Sequence, residues 1–245
     1  MAITRPDSRA ADELRSVRIT PDFIGSAHGS ALIEMGRTRV VCTATIEQGV
    51  KPWMRGQGKG WVTAEYGMLP ASARGRIQRP GPGRIDGRAS EISRLIGRVL
   101  RAGVDMAALG ENTITVDCDV LEADGGTRTA SITGGWVALA RAVAAGQKDG
   151  RLPADTQPIT AQVLAISCGL VGGRALLDLA YAEDSAADVD MNVAMTAEGR
   201  FIEVQTSGEE STFARRDLDR LVRLAEAGCL RLAEIQALAA GKRRK

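Results

Sequence analysis

The 245-residue sequence has one histidine, four cysteines and 3% aromatic residues. Each scarcity removes a class of chemistry. A serine–histidine or cysteine–histidine mechanism would have to run through His28, which lies in the turn-like stretch Ser26-Ala27-His28-Gly29-Ser30 and reads as a turn residue. Cys42, Cys118, Cys168 and Cys229 are far apart and form no C-x-x-C pair. A zinc ribbon or dithiol redox site is therefore not expected, and buried free thiols in a reducing compartment are. No run of about 18 apolar residues exists to span a membrane. The N-terminal MAITRPDSRAADELRS mixes both charge signs and lacks the apolar segment of a secretory signal; a cytoplasmic protein is the expectation. A net charge of +2 shows no global excess of either sign. What remains, 44% hydrophobic and 25% charged residues, describes a globular protein of one large domain or two compact lobes. It is long enough to bury a core without disulfide or metal staples.

The near-zero total hides a pattern. Arg74, Arg76, Arg79, Arg84, Arg88, Arg94, Arg98 and Arg101 are opposed only by Asp86 and Glu91. Asp178, Glu183, Asp184, Asp188 and Asp190 form the reverse, an acidic stretch without a base. Two solvated faces would account for this. So would a polyanion partner together with a metal ion or acid–base chemistry. Arginine's planar fork favours phosphate as the anion.

Residues 37–47 (RTRVVCTATIE) are β-branched and apolar, and read as a strand. Residues 50–84 are broken by glycine and proline, and their later, arginine-bearing part with PGPG reads as a long exposed loop. A helix is expected from Asp86 as N-cap, with Ile92, Leu95, Ile96, Val99 and Leu100 as its apolar stripe and Arg94, Arg98 and Arg101 opposite. Arg88 falls within that stripe at the first turn. An inward guanidinium must snorkel, pair or bind an anion. Residues 113–121 alternate as a half-buried strand. A helix follows to about Ala144, in which Ala130, Gly134 and Ala138 recur every four residues and allow close packing on a sheet. Strands are expected at 159–168, 174–181, 189–196 and 201–206, with Gly172-Gly173 and Glu198-Gly199 as hairpin turns. Leu218, Leu221, Val222, Ala225, Leu232 and Ile235 mark a C-terminal amphipathic helix. The expected organisation is a first half at 11–141, a second at 159–225, and a C-terminal helix with a basic tail at 226–245.

Two motifs can carry chemistry. In Gly125-Gly126-Thr127-Arg128 a strand ends, two glycines turn the chain and a helix begins. Free N–H groups at a helix start favour an anion, glycines allow its close approach, and a hydroxyl and a guanidinium follow. The Gly-Lys-Ser/Thr ending of a nucleotide-hydrolysing P-loop is missing; a capped turn is the plain alternative. In the second motif, Val189, Met191, Val193 and Met195 point to one face of a strand, and Asp190 and Asn192 to the other. Asp184, in the loop feeding that strand, can converge on Asp190. Paired carboxylates hold Mg²⁺ or raise each other's pKa; a solvated acidic loop is the alternative.

These motifs, with Glu13-Leu14-Arg15, the stretch Thr38 to Glu47, the run Gly58-Lys59-Gly60-Trp61-Val62-Thr63-Ala64-Glu65-Tyr66, Met68-Leu69-Pro70, the run from Glu91 to Arg98 and the stretch Asp188 to Met195, resemble the ribonuclease PH family nearly end to end. Two positions depart from its pattern: Ser8 stands where glycine is common and Ala71 where arginine is common. The resemblance implies an α/β (α+β) fold of two βαβα-like halves with a left-handed crossover. It implies phosphate-dependent 3′-to-5′ exoribonuclease activity on tRNA precursor 3′ ends and other RNA, reversible as a nucleotidyltransferase. It further implies phosphate binding by Arg88, Gly126, Thr127 and Arg128, and catalytic Asp184, Asp190 and Asp178. Mg²⁺ would lie at Asp184 and Asp190, RNA contacts at Arg74, Arg76 and Arg79, and the assembly would be a homohexamer. A catalytically silent RNA-binding ring subunit and a hydrolytic metal-dependent nuclease are the competing readings.

Overall fold

A computed structural model describes residues 5–79 and 86–241. The PGPG stretch at 80–83, Arg84 and the basic tail at 242–245 lie outside the described residues. The first sheet is built from β1 (Val17–Pro21), β2 (Gly29–Met35), β3 (Thr38–Gln48), β4 (Trp61–Met68) and β5 (Asn112–Glu122). Its spatial order is β1-β2-β3-β5-β4. The first three pairings are antiparallel, and β4 runs parallel to β5. Helix α1 (Gly87–Ala102) makes the crossover that this parallel pair requires. The period-two alternation works as expected on β3 and β5: Val40, Cys42, Ala44, Ile46, Ile114, Val116, Cys118 and Val120 all point into the core. Asp86 caps α1, its carboxylate accepting from the Ala89 N–H at 3.1 Å.

Helix α2 (Thr127–Lys148) leaves the end of β5 and is buried on nearly every side. It packs on β2 and β3 in one direction and on the second sheet in the other, so it needs no polar face. Its small residues make the approach possible. A Cβ on Gly134 would lie 2.7 Å from the Ile33 side chain and 3.0 Å from Cys42 Sγ. The second sheet is antiparallel: β6 (Val163–Val171), β7 (Arg174–Leu177), β8 (Val189–Thr196) and β9 (Phe201–Gly208), in the order β7-β6-β8-β9. A single helical turn, α3 (Tyr181–Asp184), lies between β7 and β8. Helix α4 (Arg215–Ala239) packs on β6 and β7 through Leu221, Ala225, Cys229 and Leu232. One buried apolar cluster runs through both halves.

Several expectations are corrected. β1, β2 and β4 are strands beyond those expected; β4 is a short segment that follows Gly60 and contains Gly67. The strand expected at 159–168 begins at Val163, and Ile159 forms only an isolated bridge to Val104. The strand expected at 174–181 stops at Leu177, because Asp178 turns the chain with φ 52°. The α3 turn follows, so Asp184 closes a helical turn. Helix α4 runs unbroken across the boundary placed at 225/226. Arg101 does not project into solvent opposite the stripe. Its guanidinium lies 4.5 Å from the Trp61 ring centre and donates to the Val62 carbonyl at 2.9 Å. His28 accepts the Ile46 N–H at 2.9 Å through Nδ1, a structural bond. All four cysteines are buried free thiols. Ser8, the residue standing where glycine is common, has φ 63°, a left-handed conformation that glycine adopts without strain.

Candidate active site

The site begins with a buried ion pair. Arg15 approaches Asp178 through Nη2 at 2.6 Å and Nε at 3.1 Å, and its backbone N–H adds a third bond at 2.8 Å. Asp178 is wholly buried. The other side of the Arg15 guanidinium donates to the carbonyls of Asp124 and Gly125. The Thr38 hydroxyl also donates to the Gly125 carbonyl, at 2.7 Å, and accepts the Asp124 N–H at 2.9 Å. The turn entering α2 is thus clamped from two directions. Its glycines are sterically required: Gly125 has φ 79°, and a Cβ there would lie 2.5 Å from the Leu179 carbonyl. Gly126, at φ 66°, is the N-cap of α2.

This clamp fixes the helix start at a cleft. The N–H groups of Thr127, Arg128 and Thr129 open the helix and have no intrahelical acceptor. The Thr127 hydroxyl lies 2.9 Å from the Tyr66 hydroxyl. Arg128 donates to Gln205 Oε1 at 3.0 Å and lies 3.9 Å from a Glu91 carboxylate oxygen. Arg88 is exposed at the first turn of α1, not turned inward as the stripe implied. A residue in the first turn lies above the packed part of the helix, so its guanidinium escapes the core. Its charge still bears on both Tyr66 and Asp184.

The acidic wall stands across from Arg128. Asp184, on α3, is held by a second buried pair: Arg5 reaches Glu183 at 2.6 Å and 2.8 Å. Burial raises the Asp184 pKa, opposed by the charges of Arg128, Arg88 and Arg15. Asp190, on β8, is pushed up to about 6, by burial first and then by the Asp184 charge, while Arg128 and a bond from Asn192 oppose the shift. Asn192 Nδ2 holds Asp190 Oδ2 at 3.0 Å, and Oδ1 is buried with no partner among the described residues. The structure therefore brings Arg88, Thr127, Arg128, Asp184 and Asp190 to one place. Asp178 is wholly buried beside them, with both carboxylate oxygens bonded to Arg15. Arg74, Arg76 and Arg79 lie exposed on the segment after β4. Sequence reasoning does not single out Arg15, Thr38, Tyr66 or Gln205 as site-builders. Gln205 faces Asn192 in register on the neighbouring strand, a relation visible only once the sheet is paired. Among the described residues no group of three or more acidic, histidine or cysteine side chains gathers to ligate a metal. None of their helices is long and apolar enough to cross a membrane.

The chain is an α/β protein of two sheets around a shared helix, whose cationic helix start beside two carboxylates is of the kind that can hold a phosphate group. The chain matches the 3′ exoribonuclease family, domain 1 over residues 13–144 and domain 2 over residues 161–228. It is 53% identical over 241 residues to ribonuclease PH of Corynebacterium efficiens, covering 98% of each chain. It is 55% identical over 234 residues to ribonuclease PH of Rhodococcus erythropolis, covering 95% of this chain and 89% of that one. Among solved structures, rice Rrp46 superposes with a TM-score of 0.77 at 19% identity, covering 96% of this chain and 100% of the other. The Archaeoglobus fulgidus exosome with RNA bound to the active site superposes with a TM-score of 0.75 at 25% identity, covering 93% and 90%. The chain belongs to the 3′ exoribonuclease family.

Proposed function

We propose that the cleft between the start of α2 and the Asp184–Asp190 pair is the phosphorolytic centre. The chain is a phosphate-dependent 3′-to-5′ exoribonuclease of tRNA processing. In this reading the N–H groups opening α2, the Thr127 hydroxyl, Arg128 and Arg88 hold orthophosphate. The two guanidinium charges and a fixed helix dipole orient it without reorganisation. The bound phosphate attacks the last 3′,5′-phosphodiester in line. A P–O bond to phosphate forms, and the bond to the 3′-oxygen of the preceding nucleotide breaks. That oxygen takes a proton from the carboxyl pair or from water that the pair orders. The products are a nucleoside 5′-diphosphate and an RNA shorter by one nucleotide with a free 3′-hydroxyl. A phosphodiester is exchanged for a pyrophosphate-type bond, so the step runs in both directions. Positioning and electrostatics carry the catalysis.

The orphaned, buried Asp190 Oδ1 fits a divalent cation. Asp184 and Asp190 would hold Mg²⁺ there, and it would supply charge neutralisation at the reacting phosphates. Asp178 is assigned a positioning role through Arg15. The exposed Arg74, Arg76 and Arg79 form the RNA track toward the cleft, the 3′ end of tRNA precursors is the substrate, and the working assembly is a homohexameric ring in the cytoplasm. The observation that carries the reading is the clamped Gly126-Thr127-Arg128 helix start facing two carboxylates with raised pKa. A short RNA labelled in its 3′-terminal nucleotide, incubated with and without phosphate, tests it. Nucleoside diphosphate should appear only with phosphate, and Arg128→Ala should lower that release at least about 100-fold, on the scale of losing a principal charge-stabilising donor, while the melting curve stays cooperative. Release of nucleoside monophosphate without phosphate, or full activity in Arg128→Ala, refutes it.

A further inference from the structure

Tyr66 belongs to none of the groups so far given a task, yet it is built into the site. It sits on β4 opposite Cys118, in the core of the first sheet, and its hydroxyl meets Thr127 at the start of α2. Among the described residues that hydroxyl has one hydrogen-bond partner, Thr127 Oγ1 at 2.9 Å. The residue is 7% exposed, so the hydroxyl is fixed in space by packing. Burial raises the Tyr66 pKa, while the Arg88 and Arg128 charges partly offset the rise. The group is protonated at neutral pH and able to donate.

The direction of the bond decides what Thr127 can do. A threonine hydroxyl has one proton and two lone pairs. If Thr127 donated to Tyr66, its lone pairs would face the cleft and repel an oxyanion. If Tyr66 donates, the Thr127 proton is left for the anion. A phenol is the more acidic hydroxyl and the stronger donor, and the cleft is cationic, so an anion in it selects the second arrangement. We infer that Tyr66 is a positioning residue for the phosphate co-substrate: its O–H donates to Thr127 Oγ1 and thereby turns the Thr127 O–H onto a phosphate oxygen. The same bond polarises the Thr127 hydroxyl and strengthens its donation, as in any chain of hydrogen bonds in a low-dielectric site. This inference rests on the phosphate-binding reading of Thr127 and Arg128 given above.

The test compares wild type, Tyr66→Phe, Thr127→Val and the double variant in steady-state phosphorolysis of a short RNA. Phosphate and RNA are varied separately, and each protein is first checked for an unchanged melting profile. Tyr66→Phe keeps the ring and should raise the KM for phosphate about 3- to 10-fold, the range of one net hydrogen bond. The KM for RNA should stay within about twofold. In the Thr127→Val background the tyrosine substitution should add nothing, because the relay is already cut; a double-mutant cycle reads that coupling. A phosphate KM within about twofold of wild type in Tyr66→Phe, or full additivity in the double variant, overturns the inference. A loss of RNA affinity equal to the loss of phosphate affinity overturns it as well. If Tyr66→Phe does not fold, Thr127→Ser serves in its place. It keeps the hydroxyl that Tyr66 orients, so its phosphate KM should lie below that of Thr127→Val; equal behaviour of the two overturns the inference. Arg128→Ala separates the two levels: if it retains phosphate-dependent activity, the phosphate reading itself fails. If it is inactive and Tyr66→Phe is unchanged, only the role of Tyr66 fails.

Discussion

Replacing Asp190 by asparagine should stabilise the metal-free protein at alkaline pH while damaging its activity. The carboxylate is largely buried, one oxygen has no partner among the described residues, and the Asp184 charge opposes its ionisation. Its pKa rises from an ordinary value near 3.9 to about 6 in the folded state. An acid whose folded pKa is raised binds its proton more tightly when folded. Below pH ~4 both states are protonated and the group costs nothing. Between pH ~4 and 6 the unfolded chain ionises first and stability is lost, and above pH 6 the loss is complete. A rise of about two pKa units corresponds to about 3 kcal/mol. The side chain keeps partial contact with solvent, so screening lowers the expected figure to about 1–2 kcal/mol. For a chain of this size that is a rise in Tm of roughly 2–6 °C. The assay is thermal and urea unfolding of both proteins at pH 8 and pH 4, in chelator and at one protein concentration, so that assembly does not shift the comparison. Asp190→Asn should be the more stable at pH 8 and equal to wild type at pH 4. Mg²⁺ should raise the Tm of wild type and not of the variant. Equal stability at pH 8, or a variant less stable at both pH values, would refute the electrostatic argument.

Other perturbations separate architecture from chemistry. Asp178→Ala leaves Arg15 charged and buried without its partner, so it should cost about 3–5 kcal/mol of stability, read by denaturant titration. A wild-type unfolding curve would show that the Arg15 clamp does not hold the α2 turn. Replacing Arg74, Arg76 and Arg79 by alanine together should flatten the salt dependence of RNA affinity by up to about 0.7 in log–log slope for each arginine–phosphate ion pair removed. The KM for phosphate should not change. An unaltered salt slope would remove this segment from the RNA path.

The sequence alone marks the elements whose patterns are local. Alternation over 113–121, the stripe from Ile92 to Leu100 and the glycine pair before Thr127 each act within a few residues, and each appears where its periodicity puts it. The Gly-Gly-Thr-Arg turn and the aspartate pair are legible for the same reason: strand alternation and helix-start chemistry are near-neighbour effects. β4 escapes such a reading because Gly60 and Gly67 mask a short strand. Arg88 is misplaced by a helical wheel, which treats the first turn as if it were packed like the middle.

What only the tertiary structure decided is the division of labour among the charges. Asp178, Asp184 and Asp190 are equivalent carboxylates in a sequence; their roles part when Arg15 arrives from 163 residues away to occupy the first and leaves the other two facing Arg128. Tyr66 and Thr127, 61 residues apart, become partners through the sheet. A carboxylate's pKa, and a hydroxyl's orientation, are set by burial and by the charges within a few ångströms. Those neighbours come from distant parts of the chain, and folding alone assembles them.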